Sequence, residues 1–139
     1  MAGESPEIQL AQDVMTLYRG AELRFFQRLN LREGQVVLDF GCRMGNYTIP
    51  VVEIVGKTGR IYALDVDHRA VNEVIARAGK FGLENIVPMK TEGELEVDLP
   101  NKSVDVILFF DVIYPMCKNK GIKRYTTLLK EFKRIMRER

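Results

Sequence analysis

The chain has 139 residues, 46% of them apolar and 29% charged, enough to fill and cover one core, so it reads as a single soluble globular domain over residues 1–139. A net charge of +2, with Lys, Arg, Asp and Glu interleaved, gives no indication of a nucleic-acid partner. No stretch is apolar enough to span a bilayer, the N-terminus MAGESPEIQLAQD is too polar and acidic for a secretory signal, and Cys42 and Cys117 lie in no zinc-type or disulfide-type grouping. These features lead us to expect a cytoplasmic protein with free thiols.

In chain order, residues 1–6 read as a loose tail and 7–33 as a helical lead-in, with Ile8, Leu10, Val14, Leu17, Leu23, Phe26 and Leu29 at roughly helical spacing and a break near Gly20. Residues 34–139 form an α/β core. After a turn at Arg32–Gln35, the apolar run Val36, Val37, Leu38, Phe40 predicts a strand buried on both faces. Asn46 to Val55 is the following helix, and the turn Gly56-Lys-Thr-Gly59 leads to a second strand at Ile61–Leu64. Val71, Val74, Ile75 and Ala78 fall at i, i+3, i+4, i+7, with Asp67 as cap and Gly82 as stop. A third strand at Ile86–Met89 carries a proline and suits an edge. Glu92 to Asp98 follows as loop or short helix, then a strand at Val104–Phe110 and an amphipathic helix over Tyr125–Met136. Strands alternating with helices predict a Rossmann-like, doubly wound, mainly parallel sheet with its ligand crevice at the strands' C-terminal ends.

The segment Val37-Leu-Asp-Phe-Gly-Cys-Arg-Met-Gly-Asn46 places glycines where a buried strand turns into a helix and a ligand can approach the backbone. Asp65, 20 positions beyond Gly45, stands where a carboxylate accepts ribose hydroxyls in nucleotide-binding folds. Counting from Gly41, Arg43 and Asn46 replace two of the three glycines of the dinucleotide fingerprint, which argues against a nicotinamide-dependent oxidoreductase. Asp39-Phe-Gly41-Cys-Arg43-Met-Gly45 instead resembles the DxGxGxG motif of class I S-adenosylmethionine-dependent methyltransferases, in the style of the ubiquinone/menaquinone-biosynthesis enzymes, and the likeness extends over residues 20–136.

That resemblance implies a methyltransferase using S-adenosylmethionine on a small-molecule acceptor, with no metal. It assigns Asp65 to the ribose, Val66 to an apolar adenine contact and Glu92 to the adenine amine. Asp39, Gly41, Cys42, Arg43 and Gly45 surround the remainder of the cofactor, while Asp111 and Tyr114 line the crevice near the reactive methyl group. Arg43 departs from the family's middle glycine. Its side chain would obstruct the ligand, point to solvent, or bind the cofactor's carboxylate, and the expectation is a weakened but retained affinity. Plainer readings stand beside these: Asp39 bonded to loop amides, Asp65 as a helix cap, Glu92 in a solvated acidic loop, His68 facing solvent, and Phe110 and Tyr114 in a core or interface. Cys42, near a helix start that lowers thiol pKa, has the look of a nucleophile, but loops of the family it resembles often hold a cysteine there without using it.

A complete enzyme of this class has seven strands, and the sequence reaches only the helix before the fifth. The expectation is therefore an apolar strand edge at Val104–Phe110, covered by a second copy or a protein partner. The competing reading is a shortened, non-catalytic module that binds the cofactor, a protein partner, or both.

Overall fold

The computed structural model describes residues 24–26, 28–42, 45, 47–109 and 113–138, with backbone alone over 113–121. Four strands form one sheet: β1 (Val36–Phe40), β2 (Arg60–Asp65), β3 (Ile86–Lys90) and β4 (Val106–Leu108), in the order β3-β2-β1-β4. Every pairing is parallel, with Phe40 opposite Leu64, Asp39 opposite Leu108, and Asp65 opposite Lys90. Three helices follow β1 among the described residues: α1 (Thr48–Val55), α2 (His68–Lys80) and α3 (Ile113–Ile135).

The consecutive apolar residues of β1 serve two cores. Val37 packs with Val51, Val52 and Val55 of α1 and with Val71, Val74 and Ala78 of α2. Its neighbour Leu38 points the other way, into a cluster with Leu64, Val97, Leu99, Val104 and Ile135. Burying each such side chain contributes about 2 kcal/mol, so a strand with this pattern is stable only when covered on both sides. Phe132 of α3 extends the second core, its ring 5.3 Å from Phe40 and 5.2 Å from Phe109.

Local signals set the helix ends. Asp67 Oδ1 accepts the amides of Arg69 and Ala70 at 3.0 and 3.3 Å, an N-cap worth about 1 kcal/mol. Gly82, at φ +68°, turns the chain out of α2 while Leu83 N–H returns to Ala78 O at 3.1 Å. Pro50 falls in the first turn of α1, where its missing N–H is one of the donors a helix leaves unmatched. Pro88 lies in β3 at the sheet edge, as its chemistry suggests.

Two expectations change, and a third lies mostly outside the described residues. Of the lead-in, Arg24–Phe26 and Arg28 are helical and Phe26 is buried; residues 1–23 and 27 lie outside the described residues. The last helix begins at Ile113, well before the expected Tyr125, and stops at Ile135. The fourth strand is shorter than Val104–Phe110: the ladder spans Val106–Leu108, and Phe110 lies outside the described residues.

The reason is Asp105, a polar residue inside an apolar run. Its amide donates to Val36 O at 2.8 Å, its Oδ2 accepts Val36 N–H at 2.8 Å, and its carboxylate pairs with Arg137 at 3.0 Å. Just before it, Val104 forms a parallel bridge with Met136, and the amides of Ser103 and Val104 both donate to Ile135 O at 2.8 and 3.0 Å. The edge expected to be bare is thus partly covered by the turn of chain that follows α3.

The acidic segment after β3 is neither helix nor strand. It is fastened by α3. Arg124 donates to Gly93 O at 2.8 Å, and Glu131 Oε1 accepts Val97 N–H at 2.9 Å. Arg134 donates to Leu99 O, Val97 O and Asn101 Oδ1 at 2.9, 2.9 and 2.8 Å while paired with Glu131.

Candidate functional site

The C-terminal ends of β1, β2 and β3 bring the loop after each strand to one end of the sheet. After β1 the chain turns at Gly41, φ +82°, and again at Gly45, φ +84°, in the left-handed region where side chains strain the backbone. The amides of Gly41 and Cys42 both donate to Leu64 O, at 2.8 and 2.9 Å, tying the loop to the end of β2. Gly45 N–H donates to Cys42 O at 2.9 Å, and Gly45 O accepts Ile49 N–H at 3.1 Å as α1 begins. A Cβ on Gly45 would stand 3.0 Å from Val74 Cγ2, so this glycine also lets the loop lie against α2.

Asp39 lies beneath the loop, 2% exposed. Its Oδ2 accepts the hydroxyl of Thr48, itself fully buried at the start of α1, at 2.6 Å. Burial pushes the Asp39 carboxyl from 3.8 up to about 7; the Thr48 hydroxyl opposes the rise and the Asp65 charge adds to it. Among the described residues the partner of Asp39 is thus the Thr48 hydroxyl on the next helix; the loop amides of residues 43, 44 and 46, with which one plain reading pairs it, lie outside them. Cys42 is buried as well, and burial first, then the Asp39 and Asp65 charges, push its thiol far above the usual range. It remains a thiol, contrary to a nucleophile's need.

Asp65 is half-buried and its Oδ1 accepts Asp67 N–H at 2.9 Å, the capping role falling to Asp67 instead. Val66 is 61% exposed at the mouth of the crevice, and a Cβ on Gly93 would come 3.9 Å from its Cγ1. Glu92 is exposed, and its Oε1 lies 3.3 Å from Nε2 of a half-buried His68, which also lies 3.3 Å from Thr91 O. His68 thus joins the loop after β2 to the loop after β3 rather than facing water alone. Arg43 and Asp111 lie outside the described residues, as does the side chain of Tyr114.

The strand ends thus collect Asp39, Gly41, Cys42, Gly45, Asp65, Val66 and Glu92. Sequence reasoning missed Thr48, a hydroxyl residue in the first turn after the glycine loop that was read only as part of an apolar helix. A cavity of about 650 Å³ adjoins these ends on the α3 side of the sheet, lined by Leu64, Met89, Thr91, Glu94, Val97 and Arg134, opposite the face that holds Asp39 and Thr48. Among the described residues there is no group of acidic, histidine or cysteine side chains able to hold a metal, and no helix is long and apolar enough to cross a membrane.

The site's chemistry can be tested against a cationic nucleoside. A buried carboxyl group with one hydroxyl donor favours a ligand carrying positive charge, and two glycines at positive φ let such a ligand approach the backbone. The residues present fit S-adenosylmethionine, which carries a sulfonium and an ammonium and no phosphate.

Comparison with known proteins agrees. The profile of the family described as "Methyltransferase domain" matches residues 31–139. A probable cobalt-precorrin-6B C(15)-methyltransferase (decarboxylating) of Saccharolobus solfataricus is 37% identical over 81 residues, 58% of this chain and 41% of that one. A demethylmenaquinone methyltransferase of Geobacillus stearothermophilus is 27% identical over 110 residues, 78% of this chain and 44% of that one. The chain spans less than half the length of either relative. Among solved structures, a SAM-dependent methyltransferase from Aquifex aeolicus superposes with a TM-score of 0.70 at 26% identity, covering 98% of this chain and 69% of that one. A four-stranded parallel sheet, a glycine turn over a buried aspartate, and a profile match from Leu31 to the last residue together place the chain in the class I S-adenosylmethionine-dependent methyltransferase family.

Proposed function

We propose that residues 1–139 form one S-adenosylmethionine-binding domain that transfers a methyl group to a small-molecule acceptor. The observation that carries this reading is Asp39: a buried carboxyl group, bonded among the described residues to the Thr48 hydroxyl and set behind the glycine turn. An apolar residue would fill that place at lower cost unless a cationic ligand were meant to approach it.

In this reading Asp65 accepts the ribose hydroxyls, Val66 lies against the adenine, and Glu92 meets the adenine amine. Gly41, Cys42 and Gly45 present their backbone to the amino-acid portion, with Asp39 beneath. The family resemblance would put Arg43 beside the same portion, and Asp111 and Tyr114 in the crevice near the reactive methyl group. The bound cofactor supplies a methyl group on an already activated sulfonium. The chain's task is then to hold donor and acceptor in line and to exclude water, a task that asks for orientation and no dedicated acid or base. The names of both sequence relatives contain a small organic molecule, which supports an acceptor of that class. We further read the protein as cytoplasmic, with the outer edge of Val106–Leu108 pairing with a second copy or a protein partner; a strictly monomeric species in light scattering would remove that part.

Calorimetric titration of the purified chain with S-adenosylmethionine tests the central reading. Saturable binding near one equivalent, lost in Asp65→Ala, is the expected result. Absence of binding by a folded chain would overturn it, and binding without methyl transfer to any acceptor would identify a cofactor-binding module.

A further inference from the structure

Asp39 and Thr48 pose a question of charge. An ionised carboxylate has room for roughly four hydrogen bonds, and the described structure gives Asp39 the Thr48 hydroxyl at 2.6 Å. Of the charged and titratable groups that face it among the described residues, the Asp65 carboxylate at the end of β2 makes matters worse for an anion, while the Cys42 thiol in the loop stays neutral beside it. From α1 comes only the hydroxyl. Resting on the reading of this crevice as an S-adenosylmethionine site, we propose that Thr48 and Asp39 form a charge-sensing pair. In it the hydroxyl positions a buried carboxyl group that gives up its proton to solvent when a cationic ligand enters, and keeps it when the ligand is less positive.

The chemistry of the two natural ligands makes this a specificity device. S-adenosylmethionine carries a sulfonium, an ammonium and a carboxylate, a net charge of +1. Loss of the methyl group leaves a neutral thioether and a net charge of zero. The ammonium is common to both, so the sulfonium alone separates them. An ionised Asp39 favours the methyl donor over its product; a protonated Asp39 does not distinguish them by charge. Burial carries the free carboxyl's titration to about 7, the range in which a ligand's charge can tip it. Thr48 acts as a positioning residue: its hydroxyl bond favours the ionised form, so its loss should make the carboxyl harder to ionise.

The test is calorimetric titration with S-adenosylmethionine and with S-adenosylhomocysteine from about pH 5.5 to 8.5, each in two buffers of different ionisation enthalpy so that released protons are counted. The ratio of the two dissociation constants should change in favour of the methyl donor by about tenfold across that range. That corresponds to one pKa unit of difference between the shifts that the two ligands impose on the carboxyl. S-adenosylmethionine should release a fraction of a proton near pH 6.5 where the product releases less, and Asp39→Asn should abolish both the release and the pH dependence of the ratio. Thr48→Val should move the midpoint of that dependence to higher pH, and Thr48→Ser should restore it; a merely structural Thr48 would weaken both ligands together and leave the midpoint in place. If the Asp39→Asn variant fails to fold, judged by circular dichroism, the Val and Ser pair at position 48 carries the test. A ratio independent of pH with saturable binding of both ligands overturns the charge-sensing pair and leaves the cofactor site standing. Failure of both ligands to bind at every pH overturns the two together.

Discussion

Two loops border the same crevice and are held by opposite means. The loop after β1 is fixed by its own backbone, through two glycines at positive φ and two amides on the carbonyl of Leu64. The segment after β3 is fixed from a distance, by Arg124, Glu131 and Arg134 reaching across from α3. The first arrangement depends on two glycines and on backbone bonds to the neighbouring strand, and tolerates little change at the glycines. The second is distributed along the chain, since the Arg134 bond to Val97 spans 37 positions, and should loosen piecemeal.

Gly45→Ala should break the first loop with the largest effect. The added methyl would meet Val74 at 3.0 Å in a backbone conformation that disfavours side chains, a combined cost of about 3 kcal/mol by urea denaturation. Retention of full stability would show that the turn relaxes freely. Arg134→Met should loosen the second loop instead. It removes three bonds to segment 97–101 and leaves Glu131 without its guanidinium, a smaller loss of stability by the same denaturation. Amide exchange over 93–101 should accelerate at least about tenfold, the equivalent of roughly 1.4 kcal/mol, while exchange over 36–42 stays unchanged; equal acceleration of both would deny the loops their independence.

The two loops should also answer pH with opposite signs. Asp39 has its carboxyl raised from 3.8 to about 7, so the folded state holds a proton the unfolded chain has released; its contribution is full below about 4 and is lost as pH rises through 7. Glu131 is lowered from 4.5, by its hydrogen bond with Arg134 first; its contribution is present above 4.5 and is lost as pH falls through the lowered value. Denaturation across pH should show Asp39→Asn flattening the decline as pH rises from about 4 to 7, and Glu131→Gln flattening the decline on the acid side of 4.5. A decline between about pH 4 and 7 that persists in the Asp39 variant would assign it to another group. Smallest of all, Arg43→Gly should tighten S-adenosylmethionine binding by a few-fold, about 1 kcal/mol or less; unchanged affinity would mean that this side chain points to solvent.

This contrast also explains what the sequence could reveal. The Asp39-to-Gly45 turn, the buried pattern of β1, the Asp67 cap and the edge position of Pro88 are all set by neighbours in the chain, and each was legible there. Thr48 escaped because a hydroxyl among Ile49, Pro50, Val51 and Val52 gives no sign of its partner until β1 and α1 are packed. The arginine and glutamate fastenings escaped for the same reason: at i, i+3 on a helix, Glu131 and Arg134 read as an ordinary surface pair. The length of β4 was misjudged because hydrophobicity favours extending it, whereas Asp105 turns its carboxylate back to the start of β1.

Asp105 has a consequence for the order of assembly. Its bond to Val36 closes a loop of 69 residues, whereas β1 finds β2 across a single short helix. Contacts of greater sequence separation cost more chain entropy to form. The sheet should therefore grow from β1 toward β2 and β3 first, with the glycine turn already shaped, and β4 should dock afterwards, bringing α3 and its arginines to fasten a segment that until then rests on short-range bonds such as Gly93 N–H to Thr91 Oγ1.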